Sequence, residues 1–422
     1  LTHIVTLGQS QHGVDFQVWL KPYLGLEFDF PQFSFNQPGF ILFSSGTTGK
    51  PKCIIHSAAG VLLKVLSEQG YHLDINKDDR VFYATTCGWM MWNWLLIGLG
   101  REATIILVDG SPAHADLERF WEIASRERLT FLGVSAALIE TWRANGVSPK
   151  QKFQIDQLRT IASTGSPLLP SGFDWVSEHV GNEVKVASIA GGTDLCGCLV
   201  LGVPTESAPR GEIQGPALGL DVKVFRPDGS EADVLEEGEL VCCTPFPSVP
   251  LGFWGDDDQS RITKAYFSRF ENIWAHGDFA RVTKTGGFEI LGRLDATLNS
   301  KGVRIGTAEI YRIVLDFEGV SGALAVEQQA DGGTRIVLFV EQNSELTEEL
   351  IAAMKAALRT QASPRHVPEC IVRAPALPRT RNGKLNELVV SDICMNRTER
   401  DSTTLMNPEC LDWFRNWQKQ SH

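Results

Sequence analysis

A run of hydroxyl, glycine and lysine residues near the start of the chain could bind an anion. It follows an apolar stretch at residues 40–43, so we expect a loop that leaves a buried strand. Glycines and hydroxyl-bearing residues allow backbone N–H groups to converge, and two lysines supply positive charge, which suits a polyphosphate. A solvated turn is the alternative interpretation, and a Walker A loop is excluded because its spacing is absent and Pro51 follows Lys50. The run is Ser44, Ser45, Gly46, Thr47, Thr48, Gly49, Lys50, Pro51 and Lys52.

Further polar segments occur downstream, and several of them directly follow a predicted strand. At residues 191–194 the glycines permit close backbone approach, and the carboxylate of Asp194 could hold Mg²⁺ through oxygen. Asp278 could accept hydrogen bonds from two vicinal hydroxyls, as on a ribose. In isolation each segment is at least as consistent with a turn cap, a surface ion pair or a solvated lysine. The other segments are residues 164–167, 292–295, 301–306 and 377–384.

The hydrophobic pattern predicts the elements that must position these segments. Up to about residue 200, short β-rich runs alternate with helical spacing, which predicts parallel strands joined by crossover helices. From about 211 to 292, short strands and turns predict a smaller antiparallel β subdomain, and a compact α+β unit begins near Asp295. We therefore expect a large α/β domain over 1–294, a small α+β domain over 295–395 and a C-terminal tail over 396–422. The strands predicted in the first part are 81–84, 104–108, 131–134, 160–163 and 184–189.

Composition narrows the possible classes of protein. The net charge of −12, with lysines and arginines dispersed along 422 residues, argues against a nucleic-acid surface. No apolar run approaches the roughly 20 residues that span a bilayer. The nine cysteines lack the spacing of a zinc site, and scattered cysteines in a chain of this size favour reduced thiols in the cytoplasm.

In order and spacing, these motifs resemble the adenylate-forming superfamily of acyl-CoA synthetases, luciferases and peptide-synthetase adenylation domains. Residues 44–52 are similar to its phosphate loop, and residues 191–194 to its aromatic-Gly-x-Thr-Glu motif. Residues 306–310 resemble the acetyl-CoA synthetase branch, and residues 86–94 with 191–194 are most similar to the acetoacetyl-CoA synthetases. The remaining matches are residues 276–278 with the ribose-binding motif, 292–304 with the hinge and hairpin, and 378–384 with the catalytic-lysine loop.

The resemblance implies an ATP-dependent acid–CoA ligase that uses Mg²⁺ and takes coenzyme A as co-substrate. Acetoacetate would be converted to acetoacetyl-AMP and then to acetoacetyl-CoA, with release of pyrophosphate and AMP. Catalysis would use Lys384, Thr193 and Asp194, and Asp194 would also bind the metal. The nucleotide would be held by Ser44, Ser45, Gly46, Thr47, Thr48, Gly49, Lys50, Lys52, Gly165, Ser166, Pro167, Gly192, Thr193, Asp278, Arg293 and Arg304.

The resemblance also assigns the acid pocket and the moving parts. Trp89 and Gly191 would line the acid pocket, and Gly302 would let the thiol of coenzyme A approach closely. The C-terminal domain would be a mobile lid that turns about Asp295 between the two half-reactions.

Three departures from the superfamily pattern bear on these assignments. Asp194 stands where Glu is usual, so its carboxylate reaches one methylene less far. Gly191 stands where acetyl-CoA synthetases carry a large aromatic residue, and a glycine makes room for a longer acid such as acetoacetate. Only 43 residues precede Ser44, so we expect an N-terminally truncated chain with weak affinity for coenzyme A. The alternatives are another short- or medium-chain acyl-CoA synthetase and a catalytically impaired, nucleotide-binding fragment.

Overall fold

The N-terminal part of the chain folds as short strands, one hairpin and the first long helix. The computed structural model describes residues 5–6, 13–44, 52–110, 116–300, 303–330, 333–342, 344–380 and 383–420. The first elements are β1 (Val5–Thr6), β2 (Val14–Asp15), α1 (Phe16–Leu20), β3 (Pro38–Ser44), β4 (Lys52–Ser57) and α2 (Ala58–Ser67). The β3–β4 hairpin sets Ser44 opposite Lys52, which brings the two ends of the predicted phosphate loop together. The loop itself, residues 45–51, lies outside the described residues.

The strand before the phosphate loop packs on only one of its faces. Within the described residues β3 pairs with β4 alone, so it forms the edge of its sheet. Side chains alternate between the two faces of a strand, so Phe40 and Leu42 pack against the core while Ile41 and Phe43 are 44% and 66% exposed. The prediction of a buried strand at residues 40–43 is wrong, because an apolar run does not show that one face lacks a covering element.

A five-stranded parallel sheet forms the centre of the large domain. Its elements and those around it are β5 (Arg80–Tyr83), α3 (Met90–Ile97), β6 (Thr104–Ile105), α4 (Arg119–Arg126), β7 (Phe131–Ser135), α5 (Ala136–Ala144), β8 (Thr160–Thr164), α6 (Pro170–Trp175) and β9 (Lys185–Ser188). The strand order is β6-β5-β7-β8-β9, and every pair is parallel, which confirms the predicted arrangement. Helices α4, α5 and α6 pack together through Trp121, Trp142 and Trp175, whose ring centroids lie 4.8 to 6.1 Å apart.

The next part of the chain is antiparallel, and it begins at β10, before the predicted start near residue 211. It contains β10 (Ala190–Gly192), β11 (Gly197–Leu201), β12 (Gly215–Pro216), β13 (Val222–Phe225), β14 (Glu237–Cys242), β15 (Gly252–Phe253), α7 (Ser260–Tyr266), β16 (Trp274–Val282) and β17 (Phe288–Arg293). Strands β13, β14, β16 and β17 form one sheet, β10 to β12 form another, and β15 joins β4 beside the phosphate loop. The chain therefore returns from the β subdomain to the strand that follows the first polar motif.

The C-terminal part contains a hairpin followed by a three-stranded sheet covered by helices. Its elements are β18 (Leu298–Ser300), β19 (Val303–Ile305), α8 (Thr307–Val314), β20 (Val320–Ala330), β21 (Gly333–Gln342), α9 (Glu348–Gln361), β22 (Cys370–Ala374), α10 (Glu387–Cys394) and α11 (Leu411–Gln420). Helix α11 packs on this sheet, because the rings of Phe414 and Trp417 each lie 4.9 Å from that of Phe339. The aromatic patch near the C-terminus is therefore part of a hydrophobic core.

The helices of the described ranges are short, and the longest, α9, has 14 residues. None of these helices is both long enough and apolar enough to cross a membrane.

Candidate active site

A cleft lies at the carboxyl ends of β8 and β9, where a loop of the C-terminal domain reaches the parallel sheet. The carboxyl ends of parallel strands share one edge of a sheet, and open α/β sheets bind their ligands at that edge. The cleft contains about 350 Å³ of space, part of it open to solvent. Motifs far apart in the sequence therefore meet here. The lining residues are Trp89, Met90, Met91, Thr164, Gly165, Ile189, Gly191, Gly192, Thr193, Gly197, Cys198 and Lys384.

Lys384 enters the cleft from the C-terminal domain at the end of a tight turn. The N–H of Thr380 donates to the carbonyl oxygen of Lys384 at 2.8 Å, and Gly383 adopts a φ of 78°, which favours glycine. The Cε atom of Lys384 lies 3.9 Å from the position that a Cβ would occupy at Gly165. The turn thus directs the ammonium group at the edge of the parallel sheet.

Desolvation and nearby carboxylates have opposite effects on the pKa of Lys384, and desolvation is the larger. Desolvation lowers the pKa of Lys384 below its ordinary value, while Asp278 and Asp194 oppose this effect and Arg293 adds to it. Lys384 is nevertheless exposed to water. A bound anion would remove much of the cost of this charge, so the position suits a phosphate or a carboxylate.

Two donors converge on one carboxylate oxygen of Asp194. The Nζ atom of Lys52 lies 3.2 Å from Oδ1, and the hydroxyl of Tyr266 donates to the same atom. Burial opposes ionisation, but Lys52, His276 and Tyr266 together outweigh it and lower the pKa of Asp194 to about 2. Asp194 is therefore ionised at neutral pH, and within the described residues its Oδ2 atom accepts no hydrogen bond.

Tyr266 is a residue of the site that the sequence did not indicate. Its ring stacks on that of Trp274 with centroids 3.9 Å apart and planes 12° apart, and the Nζ atom of Lys52 lies 4.7 Å from its ring centroid. Burial and the Asp194 carboxylate raise the pKa of Tyr266, so its hydroxyl stays protonated and donates. In the sequence Tyr266 shares only a helical spacing with Ile262, which predicts core packing.

Asp278 and Arg293 stand opposite each other on β16 and β17. The Nη1 atom of Arg293 lies 2.9 Å from Oδ1 of Asp278 and donates to the carbonyl oxygen of His276 at 3.2 Å. A Cβ at Gly277 would lie 2.8 Å from Nη2 of Arg293, so a glycine leaves room for this pair. Desolvation disfavours the guanidinium charge, but the carboxylates of Asp278 and Asp295 outweigh it and raise the pKa of Arg293. The pair holds a carboxylate close enough to Lys384 to act on its charge.

The remaining predicted residues have different positions. Pro167 lines a second cavity beside the C-terminal domain, Ser166 is exposed, and Arg304 is exposed on β19 and does not line the described cleft. The hydroxyl of Ser44 is buried and has no hydrogen-bond partner among the described residues. Asp295 lies in the single turn Leu294–Ala296, between β17 and β18. The predicted residues Ser45, Gly46, Thr47, Thr48, Gly49, Lys50 and Gly302 lie outside the described residues.

Gly191 lines the cleft, but its missing side chain would not point into open space. A Cβ at this position would lie 2.1 Å from the carbonyl oxygen of Gly197 and 2.6 Å from Cα of Cys198. The register between β10 and β11 also shifts at Gly191. The glycine is therefore required by the close approach of two strands, in addition to any effect on the size of the acid pocket.

His56 forms a hydrogen bond with the backbone of residues 191–194. It is fully buried, and its Nε2 atom lies 3.0 Å from the carbonyl oxygen of Thr193, an acceptor to which it must donate. Within the described residues the Nδ1 atom has no partner. Burial lowers the pKa of His56 to about 4, and the contacts with Thr193 and Asp194 only partly compensate. His56 is therefore neutral in the folded protein at neutral pH.

Because the pKa of His56 is lower in the folded than in the unfolded state, the unfolded chain binds the extra proton between pH 6.5 and pH 4. We expect the free energy of unfolding to fall by about 3 kcal/mol from this histidine as the pH drops through that window. His56→Gln, which keeps a donor for Thr193, should flatten this part of the stability curve. Urea unfolding at a series of pH values measures the effect. His179→Gln, at a histidine that is 37% exposed, is the control, and an equal flattening in both variants would contradict the prediction.

The comparison with protein families agrees with this geometry. Residues 12–254 match the family described as AMP-binding enzyme. This match covers more than half of the chain, so the chain belongs to the AMP-binding enzyme family.

The most informative relatives share one name. The acetoacetyl-coenzyme A synthetase of Rhizobium meliloti (strain 1021) is 48% identical over 387 residues, which are 91% of this chain and 59% of that protein. The acetoacetyl-CoA synthetase of Xenopus tropicalis is 40% identical over 394 residues, 92% of this chain and 58% of that protein. The solved structure of acetoacetyl-CoA synthetase from Streptomyces lividans superposes with a TM-score of 0.90 at 33% identity, covering 100% of this chain and 66% of that chain. The chain thus spans less than two thirds of the length of these relatives.

Proposed function

We propose that the protein is an ATP-dependent acid–CoA ligase whose acid is acetoacetate. The observation that carries this proposal is that Lys384, Trp89 and residues 191–193 meet in one cleft. A cation, a nucleotide motif and a pocket for a short acid are what the transfer of an adenylyl group to a carboxylate needs. The acetoacetyl-CoA synthetases that are 48% and 40% identical to the chain support the choice of acid.

In the first half-reaction, a carboxylate oxygen of the acid attacks the α-phosphorus of ATP. The bond from that phosphorus to the bridging oxygen breaks, and pyrophosphate leaves with the electron pair. Lys384 would balance the negative charge that gathers between acid and phosphate, and the hydroxyl of Thr193 would donate to a phosphate oxygen. Asp278 and Arg293 would orient the ribose, so most of the rate gain would come from positioning.

The carboxylate of Asp194 fits a Mg²⁺ ion. Mg²⁺ usually keeps several waters and binds through one or two carboxylates together with phosphates of the substrate. The Oδ2 atom of Asp194 is available for this within the described residues, whereas Oδ1 is held by Lys52 and Tyr266. The ion would supply positive charge to the phosphates of ATP.

In the second half-reaction, the thiol of coenzyme A attacks the carbonyl carbon of the acyl-adenylate. The bond from that carbon to the phosphate oxygen breaks, AMP leaves and a thioester forms. We propose that the C-terminal domain turns about Asp295 between the two half-reactions, which removes Lys384 from the cleft. The connection is a single turn, Leu294–Ala296, and the Nε atom of Arg293 lies 3.6 Å from Oδ1 of Asp295.

Acid-dependent release of pyrophosphate tests this function on the chain and on an N-terminally extended form. With ATP and Mg²⁺ present, we expect faster turnover with acetoacetate than with acetate, propionate or butyrate, and a thioester once coenzyme A is added. Faster turnover with acetate or propionate would contradict the choice of acid alone. ATP binding in calorimetry without any pyrophosphate release would contradict the ligase and favour a nucleotide-binding fragment.

We also propose that the enzyme works in the cytoplasm. All nine cysteines are unpaired, as is typical of a reducing compartment.

A further inference from the structure

A buried ion pair lies behind the wall of the cleft, outside the residues assigned to the reaction. The Nζ atom of Lys64 lies 2.7 Å from Oε1 of Glu68, and the two side chains are only 4% and 1% exposed. Removing two charges from water costs more than their attraction usually returns, so a buried pair seldom exists for stability alone. The alternative to a purely stabilising role is that the Lys64–Glu68 pair supports the cleft.

Glu68 joins two elements that line the cleft. Besides Lys64, it accepts from Nε1 of Trp94 at 3.1 Å, from the N–H of Cys198 at 2.6 Å and from Sγ of Cys198 at 3.4 Å. Trp94 belongs to α3, which begins with Met90 and Met91 of the cleft lining, and Cys198 belongs to β11 and lines the cleft itself. One carboxylate therefore connects a helix and a strand that both line the cleft.

The carboxylate lies directly behind the backbone that faces Gly191. A Cβ at Gly197 would lie 2.7 Å from Oε1 of Glu68, so no side chain separates the strand from the ion pair. The carbonyl oxygen of Gly197 is the same atom that a Cβ at Gly191 would meet at 2.1 Å. A movement of Glu68 would thus move the part of β11 that lines the cleft.

We propose that Lys64 and Glu68 are positioning residues that hold α3 and β11 at the separation needed by a short acid, and that they set the affinity for the acid rather than for ATP. This inference rests on the proposed ligase function. Lys64 balances the carboxylate charge, and Glu68 fixes Trp94 and the backbone of Cys198 through hydrogen bonds to that charge, which are stronger than neutral ones. Neither residue lines the cleft itself.

Steady-state kinetics of Glu68→Gln and of the double variant Lys64→Met/Glu68→Gln test the inference. For Glu68→Gln we expect KM for the acid to rise about tenfold or more, as when a hydrogen bond to a charged group is lost, with KM for ATP changed less than twofold. The double variant also removes the unpaired lysine charge, but the hydrogen bonds to the carboxylate charge are still missing, so KM for the acid should stay raised; recovery of the affinity would overturn the positioning role of Glu68. Glu118→Gln breaks a partly exposed pair with Lys152 and is the control, with both KM values unchanged.

The possible outcomes separate this inference from the proposed function. Equal increases in both KM values, or an unchanged KM for the acid, would overturn the inference while leaving the function intact. Wild-type protein that prefers another short acid would contradict the choice of acetoacetate, and the inference would then stand or fall on KM for that acid. If Glu68→Gln does not fold, Trp94→Phe, which removes one donor to Glu68 and keeps the ion pair, should raise KM for the acid about threefold. Absence of any acid-dependent turnover in the wild-type protein would overturn both.

Discussion

Lys384→Ala is expected to slow adenylate formation about 10²- to 10³-fold, the effect of removing one charge-stabilising donor from an active site. The reason is that Lys384 is the cation brought into the cleft by the C-terminal domain, where it lines the same space as Gly192 and Thr193. Thioester formation from preformed acetoacetyl-AMP should change less than about threefold, because no bond to pyrophosphate breaks in that step. Exchange of labelled pyrophosphate into ATP measures the first half-reaction, and release of AMP from synthetic adenylate with coenzyme A measures the second.

The control for this variant is Lys419→Ala, which removes an exposed lysine on α11 in the same domain. It should leave both half-reactions at wild-type rates. An equal loss of both half-reactions in Lys384→Ala would contradict the proposal that Lys384 acts in adenylate formation alone.

The pH dependence of the exchange gives a second readout for Lys384. Because desolvation lowers the pKa of Lys384 from 10.5, its charge is lost at a lower pH than that of a free lysine. The exchange rate should therefore decline on the alkaline side before pH 10.5. Lys384→Arg stays charged throughout this range and should displace the decline to higher pH, so the same alkaline limb in both proteins would contradict the assignment.

Gly191→Trp is expected to destabilise the fold by about 3 kcal/mol or more instead of changing the preferred acid from acetoacetate to acetate. The resemblance to acetyl-CoA synthetases suggested that an aromatic residue here would simply close the acid pocket. In this structure a Cβ would already overlap the carbonyl oxygen of Gly197 at 2.1 Å, and that atom belongs to the backbone of a paired strand. Even Gly191→Ala should reduce stability. Urea unfolding followed by tryptophan fluorescence measures both changes.

Gly88→Ala is the matched control for Gly191. Its Cβ would meet only a hydroxyl 4.0 Å away, and its backbone is outside the left-handed region. We expect a change within about 0.5 kcal/mol for this exposed position. A Gly191→Trp protein with wild-type stability and a preference for acetate would contradict this prediction and support an effect of residue 191 on the size of the acid pocket alone.

The parallel sheet was predictable because its signals are local. Buried parallel strands appear as short apolar runs between helical patterns, and the strands at β5, β7, β8 and β9 match the predicted positions within about two residues. The same reliance on local signals explains why the prediction of a buried strand at residues 40–43 is wrong. Its apolar run is as strong as the others, but only long-range packing shows that one face of β3 is uncovered.

Some site residues could be recognised from the sequence, whereas others became visible only in the structure. Glycines and polar residues that directly follow strands could be recognised from the sequence, and Gly165, Gly192 and Thr193 do reach one cleft. Tyr266, His56 and Glu68 could not, since each lies in an ordinary helical or strand pattern and meets the site only through a distant element. Their partners lie 72, 137 and 130 residues away along the chain.

Residue types and motif order identify the kinds of chemical group available: flexible backbone after strands, one carboxylate at Asp194, and a lysine in a loop at Lys384. Which of these groups oppose one another depends on long-range packing. It placed Lys52 and Tyr266 on one oxygen of Asp194, and it set the backbone of Gly197 against Gly191. The physical reason is that side-chain periodicity specifies the face of an element, whereas the neighbour on that face is selected by packing between segments far apart in the chain.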